Sequence, residues 1–337
     1  MSNLFIIGNG FDVAHDLPTR YADFKKYLSD NIKSFREVVE EDSEGCIKIT
    51  EIPRLPERKI WYGKGVCAEY LQEEELIYWL VDEVSNSKSD MKWKEFELYL
   101  SELNIEAVLK KWGFTEENAM KIQESLVDIS GFFFKWVNTI DLSKAHKKVN
   151  MEKLIRSDEN LVITFNYTET LEKIYEVQEQ NICYIHGKRE FDEEEQKRKD
   201  MVSIGADNSE LIIGYDEKLL KIEDYNLTFK DEGVRQGILT GMAGLIKKVK
   251  QNIFSQNAFF DKVEKSEIQN IYSVGFSYSD VDMPYIQEIC KRLEKLGKME
   301  KCVWHFETYD FGERQNEYEK KITEAGYTGK YANFRME

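Results

Sequence analysis

The sequence predicts an α/β protein: a doubly wound parallel sheet with a large helical insertion after its first strand. Two observations carry most of that expectation. The chain opens on Asn3-Leu4-Phe5-Ile6-Ile7, a continuous apolar run of the kind buried on both faces of a parallel sheet, which leads directly into Gly8-Asn9-Gly10. Short apolar runs return only from residue 161 onward, most of them followed by a turn and a helical pattern, the alternation of a wound α/β sheet.

Between these parts the pattern is helical. Tyr21–Val39 places Phe24, Tyr27, Leu28, Ile32 and Phe35 on one helical face. Asp42–Lys64 breaks the period with Gly45, Pro53, Pro56 and Gly63 and reads as a loop or short hairpin. Val66–Val84, with Leu71, Leu76, Ile77 and Leu80, predicts a strong helix, and Trp93–Leu109 and Glu116–Ile140 predict two more. The later strands are expected at Leu161–Phe165, Ile182–Ile185, Leu211–Ile213, Ile271–Val274 and Cys302–Phe306, and the charged run Lys188–Asp200 as a solvated mobile loop. The expected domains are a sheet domain of residues 1–20 with 161–337 and an inserted helical domain of residues 21–160.

Composition narrows the function. A chain of 337 residues, 42% hydrophobic and 33% charged, has room for a full α/β core and a further domain. Its net charge of −16 argues against a general nucleic-acid binder, which needs a basic stripe. A small anion held by a few backbone amides is still compatible with it. Five scattered cysteines without a C-x-x-C pair fit a reducing compartment and offer no zinc framework. No stretch approaches the ~20 apolar residues of a membrane span. Leu4–Ile7 is too short for a signal peptide, so a cytoplasmic protein is expected.

Four motifs can carry chemistry. Gly8-Asn9-Gly10-Phe11-Asp12 follows a buried-type strand, where glycines let a backbone approach a pyrophosphate; a plain tight turn is the alternative. Thr164-Phe165-Asn166-Tyr167-Thr168 ends a strand at the edge where α/β sheets bind ligands. There Asn166 either binds a ribose hydroxyl or water, or caps the helix starting near Thr168. Tyr184-Ile185-His186-Gly187 ends the next strand in a histidine, the usual general base near neutral pH, though a lone histidine is more often structural. Gly275-Phe276-Ser277, with Ser279, Asp280 and Asp282, follows a later strand and offers ribose or phosphate ligands, with an aspartate capping the next helix. Zincin, P-loop and α/β-hydrolase motifs are absent.

As an ordered set these blocks resemble the AbiH abortive-infection family: Leu4 to Asp12 with Leu17-Pro18-Thr19 and Tyr21, then Phe165-Asn166-Tyr167-Thr168, Ile185-His186-Gly187, and Gly275-Phe276-Ser277 with Asp280 and Asp282. More distantly they resemble sirtuin-like proteins. Gly10 and Pro18 have the spacing of that family's G-A-G-x-S opening, Asn166 stands in its T-x-N-x-D block, and His186-Gly187 follows about twenty residues later, as its catalytic H-G does. Thr168 replaces an aspartate, Arg20-Tyr21 replaces phenylalanine-arginine, and the four-cysteine module is missing, which argues against protein deacylation.

The resemblance implies a Rossmann-like, sirtuin-like core and an antiphage effector that cleaves NAD, with Asn166 and His186 as the catalytic pair. Gly8, Asn9, Gly10, Phe11 and Asp12, with Gly275, Ser277 and Asp280, are the expected nucleotide-binding residues. His15 and Asp12 are secondary candidates for closing over the nucleotide. No metal and no cofactor beyond NAD as substrate is expected. The expected partners are NAD or a related nucleotide and, through the insertion, a second copy of the chain or a phage trigger protein. The competing readings are a nucleotide or ADP-ribose sensor without chemistry and a nuclease-type toxin.

Overall fold

The computed structural model describes residues 2–31, 35–41, 47–53, 131–189, 211–212, 214–216, 242–243, 245–308 and 313–337. The chain divides into two compact units, Met1–Arg20 with Phe134–Lys218 and Ile246–Glu337, and Tyr21–Phe133 with Leu219–Leu245.

In the first unit β1 (Ser2–Ile7) is followed by the short helix α1 (Asn9–Ala14). Further along come α3 (Val149–Ile155), β4 (Leu161–Thr164), α4 (Thr170–Tyr175) and β5 (Ile182–Tyr184). The short strands β6 (Tyr215–Asp216) and β7 (Ile246–Lys247) pair with each other. Helices α5 (Val249–Ser255) and α6 (Asn257–Lys265) lead into β8 (Ile268–Val274). The chain closes with α7 (Met283–Glu294), β9 (Val303–Glu307), α8 (Glu313–Glu324) and β10 (Lys330–Phe334). In the second unit α2 (Tyr21–Asn31) precedes a hairpin of β2 (Phe35–Glu41) and β3 (Ile47–Pro53).

Among the described residues the main sheet has six strands in the order β10-β9-β8-β1-β4-β5, every neighbouring pair parallel. Counted along the chain within this sheet, that order is 3-2-1-4-5-6, and its winding reverses between β1 and β8. The period-two alternation of a strand accounts for the double burial of β1. Leu4 and Ile6 pack on one face with Phe260 and Val263 of α6 and Ile286, Ile289 and Leu293 of α7. Phe5 and Ile7 pack on the other with Phe11, Met151, Ile155 and Leu171. All four β1 side chains are fully buried, each contributing on the order of 1.5–3 kcal/mol.

Three expectations change. The helix expected over 21–39 ends at Asn31, because the β-branched Val38, Val39, Ile47, Ile49 and Ile52 favour the β2–β3 ladder. Leu211 and Ile212 form no strand; the Ile212 amide donates to the His186 carbonyl, and its own carbonyl accepts from the Tyr167 hydroxyl. At the head of the charged run expected to be a solvated loop, Arg189 is buried, while residues 190–200 lie outside the described residues. The helices expected over 66–84 and 93–109 also lie outside them, and residues 131–138 of the third are helical.

Candidate functional site

The glycine motifs meet at the point where the winding reverses. The Gly8 amide donates to the Val274 carbonyl (3.0 Å), Gly10 to Gly275 (3.0 Å) and Phe11 to Gly8 (2.9 Å). A Cβ on Gly8 would lie 2.5 Å from the Gly275 oxygen, and one on Gly275, at φ +61°, would lie 2.3 Å from the Phe11 nitrogen. These glycines let two turns touch backbone to backbone, and the Gly8 and Gly10 amides are already engaged there. From the sequence, the expected partner of these amides is a pyrophosphate. The Asn9 side chain donates to the Thr19 carbonyl, and the Phe11 side chain is core. His15 is also structural: its Nδ1 bonds the Phe11 carbonyl and its Nε2 the Tyr175 hydroxyl, each at 2.7 Å.

A buried polar cluster lies past the carboxyl ends of β1, β4, β5 and β8. Asp12 comes from α1, Asn166 stands two residues past β4, His186 two past β5, and Asp282 at the start of α7. All four are at least nine-tenths buried. Among the described residues, Asp12 Oδ1, both amide atoms of Asn166, His186 Nε2 and Asp282 Oδ1 have no hydrogen-bond partner. Leaving such an atom unpaired costs roughly 1–3 kcal/mol, so a group of them at one sheet edge is the mark of a site rather than of a core. Neither capping expectation holds. α4 starts beyond Asn166, with Glu169 at its cap position, and Asp282 makes no cap bond.

The cluster has two halves. In the first, the Thr168 hydroxyl donates to Asp12 Oδ2 at 2.6 Å and also bonds the Thr170 hydroxyl. Burial pushes the Asp12 carboxyl up to about 6, against the lowering effects of Thr168, Thr170, Asn166 and the Arg189 charge. Arg189 itself grips Glu169 through Nε (2.7 Å) and Nη2 (3.0 Å) and donates to the Val137 and Ile140 carbonyls.

In the second half, His186 Nε2 lies 3.4 Å from Asp282 Oδ1, close enough for electrostatic attraction. Burial and the nearby Lys247 charge lower the His186 pKa, outweighing Asp282 and Phe165. Burial would raise the Asp282 carboxyl, but Lys247, His186 and the Ser279 hydroxyl (2.7 Å) hold it well below the usual range. At neutral pH the pair is therefore a neutral imidazole facing an ionised carboxylate. Phe165 and Tyr167 flank the ring at centroid distances of 5.5 and 5.9 Å.

The structure thus brings Asp12, Asn166 and His186 to one edge. From the last motif, Ser277 is exposed, and Asp280 is exposed and paired with Lys321 at 2.8 Å, so the aspartate that turns inward is Asp282. Sequence reasoning missed Arg189 and Lys247, two basic residues in charged surroundings whose burial no local pattern signals. Among the described residues no group of histidine, cysteine and acidic side chains could hold a metal, and no helix is long and apolar enough to cross a membrane.

The family model described as bacteriophage abortive infection AbiH matches residues 4–306. No curated protein and no solved structure matches the chain.

Proposed function

Since the chain belongs to the AbiH family of bacteriophage abortive infection, we propose that it is an abortive-infection effector that cleaves the glycosidic bond of NAD at the Asn166–His186 edge. The observation that carries the reading is the buried contact of His186 Nε2 with Asp282 Oδ1 at 3.4 Å, neither atom having a full hydrogen bond among the described residues. A water molecule or substrate hydroxyl placed there would give its proton to the ring, which is neutral at neutral pH, and the ionised carboxylate would stabilise the imidazolium formed. The Rossmann-like strand order supports a nucleotide at this edge. In this reading residues 1–20 with 161–337 carry the nucleotide site, and the insertion senses a trigger or a second copy of the chain.

In the proposed reaction the bond between the ribose anomeric carbon and the pyridinium nitrogen breaks. Its electron pair neutralises the departing nicotinamide, so no general acid is needed. Asn166 orients the ribose or the water, whose oxygen bonds to the oxocarbenium-like carbon while its proton passes to His186. Asp282 stabilises the imidazolium, and Ser277, at the exposed rim, would help to hold the adenosine half.

The test incubates the purified chain with NAD and follows nicotinamide by chromatography. Wild type should release it, and His186→Ala should lose ~10²–10⁴-fold in rate, the usual contribution of a positioned base. Because the His186 pKa is lowered, the rate should stay flat through neutral pH and fall only below the ordinary histidine range. A His186→Ala chain with full activity would exclude the assignment; binding of NAD without release would make the chain a sensor.

A further inference from the structure

In the half of the cluster away from His186, Asp12 is 1% exposed and Asn166 4%, and Asn166 lies close enough to help hold the carboxyl ionised. Thr168 already occupies Asp12 Oδ2 at 2.6 Å, which leaves Oδ1 as the carboxylate's free acceptor. Asn166 adds one acceptor, Oδ1, and one two-proton donor, Nδ2; its amide helps hold Asp12 ionised, but neither atom has a full hydrogen bond among the described residues. Together they offer a ligand two acceptors and one donor, in a place where an unmatched atom is expensive.

That inventory selects a ligand class. A phosphate or carboxylate brings only acceptors and negative charge, and a buried carboxylate rejects both. A carboxamide could face Asn166 alone and would leave one acceptor unmatched. Two neighbouring hydroxyls can donate to both acceptors and accept from Nδ2. We infer that Asp12 and Asn166 form a receptor for the vicinal diol of a ribose, with Asp12 Oδ1 and Asn166 Oδ1 accepting from adjacent hydroxyls and Asn166 Nδ2 donating back. The inference rests on the nucleotide reading of the site and adds to it a ligand contact for Asp12 and a selectivity for ribonucleotides over deoxyribonucleotides. Because Asp12 titrates at about 6, the receptor is in its accepting form at neutral pH.

The test is calorimetric titration of the wild-type chain at pH 7.5 with ADP-ribose and with its 2″-deoxy and 3″-deoxy analogues, with nicotinamide release from NAD assayed in parallel. Each missing hydroxyl should weaken binding ~10–100-fold, the ratio for one buried polar group left unpaired. In Asp12→Asn the preference for ADP-ribose should narrow as its affinity falls. Equal affinity for all three ligands, or no binding of ADP-ribose, overturns the inference. Release of nicotinamide without discrimination removes the diol receptor and leaves the cleavage standing; discrimination without release does the reverse. The comparison of ligands in wild type needs no variant to fold.

Discussion

The glycine junction between β1 and β8 and the polar cluster beyond β4 and β5 occupy the same edge of one sheet and differ in how their polar groups are satisfied. At the junction the Gly8, Gly10 and Phe11 amides all have backbone acceptors near 3 Å, and the turns approach until no Cβ fits. In the cluster, five buried side-chain atoms on Asp12, Asn166, His186 and Asp282 have no hydrogen-bond partner among the described residues. The junction is a joint that fixes where α1 starts, and so where Asp12 stands. The contrast runs within a single motif: the Gly10 amide is satisfied by backbone, and the Asp12 carboxylate, two residues on, keeps an oxygen without a hydrogen bond among the described residues.

Substitution at the joint should have the largest effect on the fold. Gly275→Ala puts a side chain at φ +61° and a Cβ 2.3 Å from the Phe11 nitrogen, with backbone on the opposing side and nothing flexible to give way. Left-handed strain of about 1–2 kcal/mol adds to overpacking of about 1–3 kcal/mol. Chemical denaturation should therefore show a loss of several kcal/mol or no folded protein. A variant with wild-type stability would mean that the two turns do not touch in solution.

In the cluster the sign reverses. The folded Asp12 carboxyl sits at about 6, against 3.8 without the burial. The fold therefore favours the protonated acid. This group's contribution is fully present below pH 3.8 and is lost as pH rises through 6, at a cost of roughly 3 kcal/mol above that. Asp12→Asn should stabilise the chain by ~1–3 kcal/mol at pH 7.5 while weakening ADP-ribose, and the gain should vanish near pH 4, a trade of stability for function common at binding sites. Urea melts at the two pH values measure it. A destabilised Asp12→Asn at pH 7.5 would show that Asp12 supports the fold.

The same contrast marks what could be read from the sequence. The doubly buried β1 was legible because Leu4 to Ile7 are apolar at every position, which only a strand covered on both faces requires. That Asn166 and His186 stand at the carboxyl edge of the sheet was legible from their places after apolar strands. The role of the glycines was not. A glycine amide that donates to Val274 and one that binds phosphate look alike until the partner strand is placed, and Val274 is 266 residues from Gly8. Arg189 resembled the rest of its charged run because its acceptors, Glu169, Val137 and Ile140, lie 20, 52 and 49 residues away. Lys247 gave no local signal at all.

The smallest predicted effect comes from the loop between β8 and α7, where two aspartates two residues apart face opposite ways. Tyr278 sets the turn. It is fully buried at φ +50°, an uncommon conformation for a bulky residue; its hydroxyl donates to Ser273 and accepts from the Trp304 indole, and its carbonyl accepts from Lys321. With that anchor fixed, Asp280 stands in solvent with its side chain 92% exposed, and Asp282 turns toward His186. An exposed ion pair such as Asp280–Lys321 contributes ~0–1 kcal/mol, so Asp280→Ala should leave both stability and nicotinamide release near wild type. Asp282→Asn removes a charge that raises the His186 pKa, so the acid limb of the rate profile should move to lower pH, a displacement that loss of packing alone would not produce. If Asp280→Ala shifts that limb and Asp282→Asn does not, the inward and outward assignments are reversed.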